Sequence, residues 1–220
     1  MYLVSAIFIR KFQDSDYNDV LNISYKTGYM GNDLNGTGEF DDVKLFGYFF
    51  CIYYLIYEKE HCFVAVDKDN NYKVIGYIIG TLNTKVQQHL FLRKMILKIS
   101  RRMIYTLFRY PKTLKNILNM SKNKSWKFLP KNFYDNYPVH FHINIISGYQ
   151  GKGIGNLLLG RFEQHVQENG GTGIHLKTSN KNCKAIRFYQ KRGYTKFLEF
   201  DDTLWKSVDD YKTIIFVKSL

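Results

Sequence analysis

Cysteine is scarce in this 220-residue chain. Cys51, Cys62 and Cys183 stand far apart, with no CxxC pair and no Cys/His cluster at metal-ligand spacing. That excludes a disulfide framework, and sparse, odd-numbered thiols fit a reducing cytoplasm. Proline is as rare: Pro111, Pro130 and Pro138 leave long segments free to form helices and strands. No apolar run approaches the roughly 20 residues needed to span a bilayer. The opening MYLVSAIFIRKF has no basic region ahead of its apolar stretch and no small-residue cleavage site, so it reads as a first strand rather than a signal peptide. His61, His89, His165 and His175 form no metal set, and no metal is expected.

Acidic residues are missing from one block. Residues 85–134 hold 13 of the 32 Lys and Arg and no Asp or Glu, while the other 19 basic residues balance the 19 acidic ones. The net charge of +13 therefore sits in one internal segment. What the chain has in quantity is apolar and aromatic residues, 45% and 17%, which excludes disorder. At this length, a single domain over 1–220 with a basic helical insertion at 85–134 is expected.

Periodicity and turn residues predict strands at 6–12, 61–67, 73–82, 139–147, 174–178, 194–200 and 211–218. Helices are predicted up to about Thr27, over 41–57, over 86–109 and 112–122 with a break at Pro111, over 153–168, and over 182–192 with Gly193 as its stop. Residues 28–38, rich in Gly and Asn, read as a loop.

The most informative segment is VHFHINIISGYQGKGIG, residues 139–155. A strand runs into Gln150, Gly151, Lys152, Gly153, Ile154 and Gly155, and a helix opens within that turn. Such a turn aims several backbone N–H groups and the positive end of a helix dipole at one point, where a diphosphate can approach because no Cβ intervenes. It is not a P-loop, because Gly153 rather than Ser or Thr follows Lys152, and it is not a Rossmann fingerprint, because Asn156 stands where the last glycine belongs. A plain glycine-rich connector is the competing reading. Further on comes Asn182-x-x-Ala185-x-x-x-Tyr189-x-x-x-Gly193-Tyr194. Asn182 can cap the helix, Ala185 leaves room for a ligand chain, and Tyr189, four residues on, shares its face.

Together these two segments resemble the GNAT superfamily of N-acetyltransferases, whose Q/R-x-x-G-x-G/A turn is met by Gln150, Gly153 and Gly155. Its later N-x-x-A-x-x-x-Y-x-x-x-G-F/Y motif is met by Asn182, Ala185, Tyr189, Gly193 and Tyr194. The stretch YPVHFHINIISGYQGKGIG also resembles a bacterial branch related to the acetyltransferase-like domain of O-GlcNAc hydrolases. The resemblance implies an α/β fold of the α+β kind, a mixed, mostly antiparallel sheet flanked by helices. It also implies acetyl-CoA as co-substrate and direct attack on its thioester by a primary amine of a small molecule, peptide or protein. Backbone groups near Ile145 and Ile146 would hold the pantetheine amides, a bulge in that strand would aim an N–H at the thioester oxygen, and the 150–155 amides would take the pyrophosphate. Asn182 would contact the pantetheine arm and Tyr189 would act as general acid. For the general base His142 is the choice over His140, with histidines satisfied inside a packed sheet, or a water chain, as competitors. Cys183 reads as a packed or exposed thiol rather than a nucleophile.

The basic insertion has no counterpart in that pattern. Phe91, Leu92, Met95, Ile96, Ile99, Met103, Ile104 and Leu107 recur at helical spacing, with Arg93, Lys94, Lys98, Arg101 and Arg102 mostly elsewhere. A stripe covering the protein's own core or cleft is the favoured reading. Contact with nucleic acid or an anionic membrane is the less favoured one. The alternative to an enzyme is a non-catalytic module of the same fold that recognises an acidic partner through this insertion.

Overall fold

A computed structural model describes residues 6–120, 129–202, 205 and 207–220. Seven strands form one sheet: β1 (Ile7–Lys11), β2 (Phe63–Asp67), β3 (Lys73–Thr81), β4 (Val139–Ile145), β5 (Gly173–Ser179), β6 (Thr195–Asp201) and β7 (Lys212–Ser219). Their order is β1-β2-β3-β4-β5-β7-β6. All neighbours are antiparallel except β4 and β5, which are parallel.

That one parallel pair opens the molecule. β4 and β5 are in register only at Val139↔Ile174 and His140↔His175. β4 keeps its pairing with β3 to Ile145, and β5 keeps its pairing with β7 to Ser179. Each strand therefore stays bonded along one edge while the edges that face each other part, and the sheet splits into a V.

Helices cover both faces. On one lie α1 (Tyr17–Lys26), α2 (Val43–Phe50), α3 (Ile52–Tyr57), α4 (Thr84–Arg109) and α5 (Pro111–Met120). Their aromatic and aliphatic side chains form a core with Val64, Val66, Tyr77 and Ile79 of the sheet. On the other face α7 (Ile154–Glu168) and α8 (Cys183–Lys191) enclose Phe63, Ile78, Phe141 and Leu176. A third, smaller cluster joins Phe133, from the short α6 (Phe133–Asn136), to Phe200, Ile215 and Val217. Gly80 lets β3 and β4 come together: a Cβ there would lie 2.4 Å from the His140 carbonyl oxygen and 2.7 Å from the Phe162 ring.

The helix expected over 41–57 is two helices. Cys51, with φ of −141°, leaves the helical region between them, so α2 and α3 each turn their own aromatic residues inward. The break expected at Pro111 is present. Pro111 opens α5, a position where its missing N–H has no bond to lose. Residues 121–122 of the expected second helix lie outside the described residues.

Candidate active site

The turn after β4 has an unusual backbone account. Gly148, Gly151 and Gly153 have φ of 88°, 77° and 83°, in the left-handed region, and a Cβ on any of them would meet nothing within 4 Å. Tyr149 N–H donates to the Ile146 carbonyl, and Asn156 and Leu157 N–H both donate to the Gly153 carbonyl. Among the described residues the amides of Gln150, Gly151, Lys152, Gly153, Ile154 and Gly155 have no partner in the protein. Gly151, Lys152 and Gly153 are exposed, and Gly153 sits at the N-cap of the 15-residue α7. Unbonded N–H groups at a helix N-terminus make an anion site. The Ile154 side chain, by contrast, is buried in the core under α7 and fixes where the helix starts.

Two side chains brace this turn. The Tyr149 hydroxyl donates to Asp67 Oδ2 at 2.8 Å and accepts from Asn70 Nδ2 at 3.2 Å, which ties the turn to the β2–β3 hairpin. The Lys152 ammonium lies over the Tyr149 ring, 5.1 Å from its centre, and adds a positive charge beside the open amides.

Along the V, β4 presents alternate residues. Ile146 N–H donates to the Ile75 carbonyl at 3.0 Å, so in the antiparallel alternation the amides of Asn144 and His142 also face β3. Those of Ile143 and Ile145 face the opening. The β3–β4 register runs from Thr81↔His140 to Gly76↔Ile145 without a shift, so the bulge expected in β4 is absent from its paired residues. Ile146 is therefore not a cleft residue by its backbone: its N–H is bonded to Ile75 and its carbonyl to Tyr149. Ile145 is, and its carbonyl accepts from Gln150 Nε2 at 2.9 Å.

On the far side of the V, Asn182 Oδ1 accepts from Ala185 N–H at 3.1 Å and caps α8. Its Nδ2 lies against Gly31, where a Cβ would stand 3.3 Å away, while Gln150 Nε2 reaches the Gly31 carbonyl at 3.5 Å. The Met30–Gly31 turn thus spans from Gln150 to Asn182 across the opening. No pattern in the sequence pointed to Gly31.

Tyr189, on α8, is 7% exposed and packs among Phe141, Phe188, Tyr194 and Phe216. Burial raises its pKa above the ordinary phenol value, so it keeps its proton at neutral pH. Among the described residues its hydroxyl has no hydrogen-bond partner. Glu163 of α7 holds α8 in place by accepting from Arg192, Lys218 and Tyr194.

The two β4 histidines share the opposite face and differ sharply. His140 is satisfied: Tyr54 Oη lies 2.7 Å from Nε2 and Thr84 Oγ1 2.6 Å from Nδ1. Because Thr84 gives its hydroxyl proton to the Pro138 carbonyl at 2.7 Å, His140 donates through Nδ1 and accepts the Tyr54 proton at Nε2. Burial first, then His175, His142 and Lys177, hold its pKa well below the usual value, so it is a neutral structural group. His142 makes no hydrogen bond among the described residues and its side chain is exposed. The protein walls around it, and after them the Lys177 ammonium, lower its pKa too. His175 donates Nδ1–H to the Tyr137 carbonyl at 2.8 Å and is pushed down to about 4, chiefly by burial. Lys177, two residues further along β5, is exposed on this same face and was not singled out from sequence. Cys183 is an exposed free thiol.

Residues 131–194 match the family model described as acetyltransferase (GNAT) family. A segment of 52 residues is 44% identical to the uncharacterized protein YxbD of Bacillus subtilis (strain 168), covering 24% of this chain and 33% of that one, so the match spans about a third of that relative's length. The solved structure of SsHAT is similar over 97% of this chain and 98% of its own, with TM-score 0.73 and 22% identity. An N-acetyltransferase from Staphylococcus aureus Mu50 covers 98% of this chain and 99% of its own, with TM-score 0.58 and 14% identity. The structure of yncA from Salmonella typhimurium, solved with its cofactor acetyl-CoA, covers 98% and 95% with TM-score 0.57 and 14% identity. At these identities the likeness is one of fold, and it extends over the mixed sheet and its helices.

Proposed function

We propose that this chain, whose residues 131–194 match the GNAT acetyltransferase family model, transfers the acetyl group of acetyl-CoA to a primary amine. One observation carries the reading: among the described residues the amides from Gln150 to Gly155 are without partners in the turn that opens α7. A connector has no use for six such donors, whereas a diphosphate is bound by them.

Acetyl-CoA supplies an acetyl group already activated as a thioester, so no enzyme nucleophile is needed. The chain's own residues position and move protons. The 150–155 amides and Lys152 hold the diphosphate. Ile143 and Ile145 present N–H and C=O groups along the opened edge of β4, where a pantetheine arm adds like a further strand. Gln150 Nε2 then gives up the Ile145 carbonyl. Tyr189, protonated at neutral pH, donates to the departing thiolate from the α8 side. His142, neutral and without a hydrogen bond among the described residues, takes the proton from the amine on the opposite face. His140 has no capacity left for that role.

Isothermal titration of the full chain with acetyl-CoA tests the reading. Binding at or below millimolar concentration is the expected result. No heat of binding at millimolar acetyl-CoA would remove the donor, and with it the transferase, in favour of a non-catalytic module.

A further inference from the structure

Helix α4 has two apolar sides, and only one of them is covered. Met95 and Ile99, 0% and 6% exposed, pack into the core against α2 and α3, with Phe91 and Met103 beside them. Arg102 lies against the same inner side and holds Asp42, with Nε 2.9 Å from Oδ2 and Nη2 3.0 Å from Oδ1. Thr106 Oγ1 reaches the same carboxylate at 2.5 Å. This much matches a stripe covering the protein's own core. Leu92, Ile96, Ile104 and Leu107, expected in that stripe, are 64%, 50%, 63% and 50% exposed, and Leu97 and Phe108 join them at 67% and 83%.

Leu92, Ile96, Ile104 and Phe108 are separated by multiples of four residues, with Ser100 in the remaining place, so each neighbours the next in a row that winds through roughly 160° of the helix surface from Leu92 to Phe108. Leu97 and Leu107 widen that row. Six large apolar side chains exposed together on one helix exceed the scattered exposure that ordinary surfaces show. Arg93, Lys94 and Arg101 are exposed alongside. Among the described residues Arg93, Arg101 and Lys112 form no ion pair, and no acidic residue occurs anywhere in 85–134.

We propose that this outer face of α4 docks on an anionic phospholipid surface, with the helix lying in the plane of the interface. The charge pattern selects that occupant. A second copy of the chain would bring Arg93 and Arg101 of both copies together with no carboxylate from the insertion to offset them. A nucleic acid would satisfy the cations but would leave the row of Leu, Ile and Phe without a use, since phosphate contacts need none of it. Lipid headgroups take the cations while the acyl boundary takes the aliphatic row. No helix among the described residues is long and apolar enough to cross a membrane, so α4 lies on the bilayer rather than spanning it. The proposal is independent of the acetyl-transfer reading.

Cosedimentation of the full chain with vesicles tests it, using phosphatidylcholine alone and equal parts phosphatidylcholine and phosphatidylglycerol. Binding to the anionic vesicles, little binding to the neutral ones, and weakening with added salt are expected. Leu97→Asp and Phe108→Asp should each lower the partition about tenfold or more, the factor that one large apolar side chain carries. Both positions are exposed, so thermal melting and acetyl-CoA titration should stay unchanged and show that fold and cleft are intact. Failure of the native chain to bind anionic vesicles would overturn the proposal, as would binding that neither aspartate weakens. So would preferential binding to duplex DNA, or a dimer in sedimentation velocity that Phe108→Asp dissolves.

Discussion

Helix α7 has a glycine turn at each end, and the two treat their backbone donors in opposite ways. At the C-terminal end Asn169 N–H reaches the His165 and Val166 carbonyls, Gly170 N–H reaches Gln167, and Gly171 N–H reaches Val166. Gly170, with φ of 73°, serves to end the helix, and every amide in that turn is bonded. At the N-terminal end Gly151 and Gly153 have nearly the same φ, yet the amides around them have no partner among the described residues. Composition does not separate these turns; unused hydrogen-bonding capacity does. The same contrast recurs within β4, where His140 has both ring nitrogens bonded and His142 has neither.

The largest expected effect falls on the Tyr189 hydroxyl, which has no hydrogen-bond partner among the described residues. Tyr189→Phe removes the hydroxyl and leaves the ring packed, so kcat should fall about 100-fold or more with little change in acetyl-CoA affinity. Unchanged turnover would show that the free hydroxyl has no catalytic part. Next comes the pair of turns. Gly151→Val with Gly153→Val puts β-branched side chains at left-handed φ in front of the open amides, and acetyl-CoA affinity should fall about 100-fold. Gly170→Val at the bonded turn should cost about 1–2 kcal/mol in stability and leave affinity unchanged. Equal loss of affinity from both variants would break the comparison.

The histidines sharpen it further. His140→Ala leaves the Tyr54 hydroxyl without its acceptor, while Thr84 still donates to the Pro138 carbonyl, and should cost about 2 kcal/mol in chemical denaturation. His142→Ala should leave stability within about 0.5 kcal/mol, since nothing bonds to that ring, and lower kcat instead. The pH dependence follows from the lowered pKa values. A base must be unprotonated, so with His142 held below the ordinary 6.5 its acidic limb in kcat lies below pH 6.5. Stability follows the same sense. His140 and His175 bind a proton more readily unfolded than folded, so stability is full above about pH 6.5 and falls as pH drops towards the folded values, about 4 for His175. An acidic limb in kcat above pH 6.5 would remove His142 as the base.

Much of the fold could be read from the chain because its signals are local. Alternating β-branched residues marked β4, and Pro111 and Gly193 marked helix boundaries. The glycine turn was legible for the same reason: a left-handed φ at Gly151 and Gly153 is a property of single residues. What required three dimensions was missed or left open. His140 and His142 look alike two residues apart, and only Tyr54 and Thr84, 86 and 56 residues away, distinguish them. Ile145 and Ile146 look alike too, and the β3 register decides which faces the V. The periodic stripe on α4 is legible in the sequence, but which half of it meets the core is not. Asp42, which accepts from Arg102 and Thr106, fixes that, and it lies about 60 residues earlier in the chain.

Backbone hydrogen exchange of residues 147–171, with and without acetyl-CoA, puts the central claim to the most direct test. The account predicts fast exchange from Gln150 to Gly155 in the free protein, slowed by saturating acetyl-CoA, and slow exchange of Gly170 and Gly171 in both states. Exchange at 150–155 that is already slow in the free protein, or that stays fast when acetyl-CoA is bound, would contradict it.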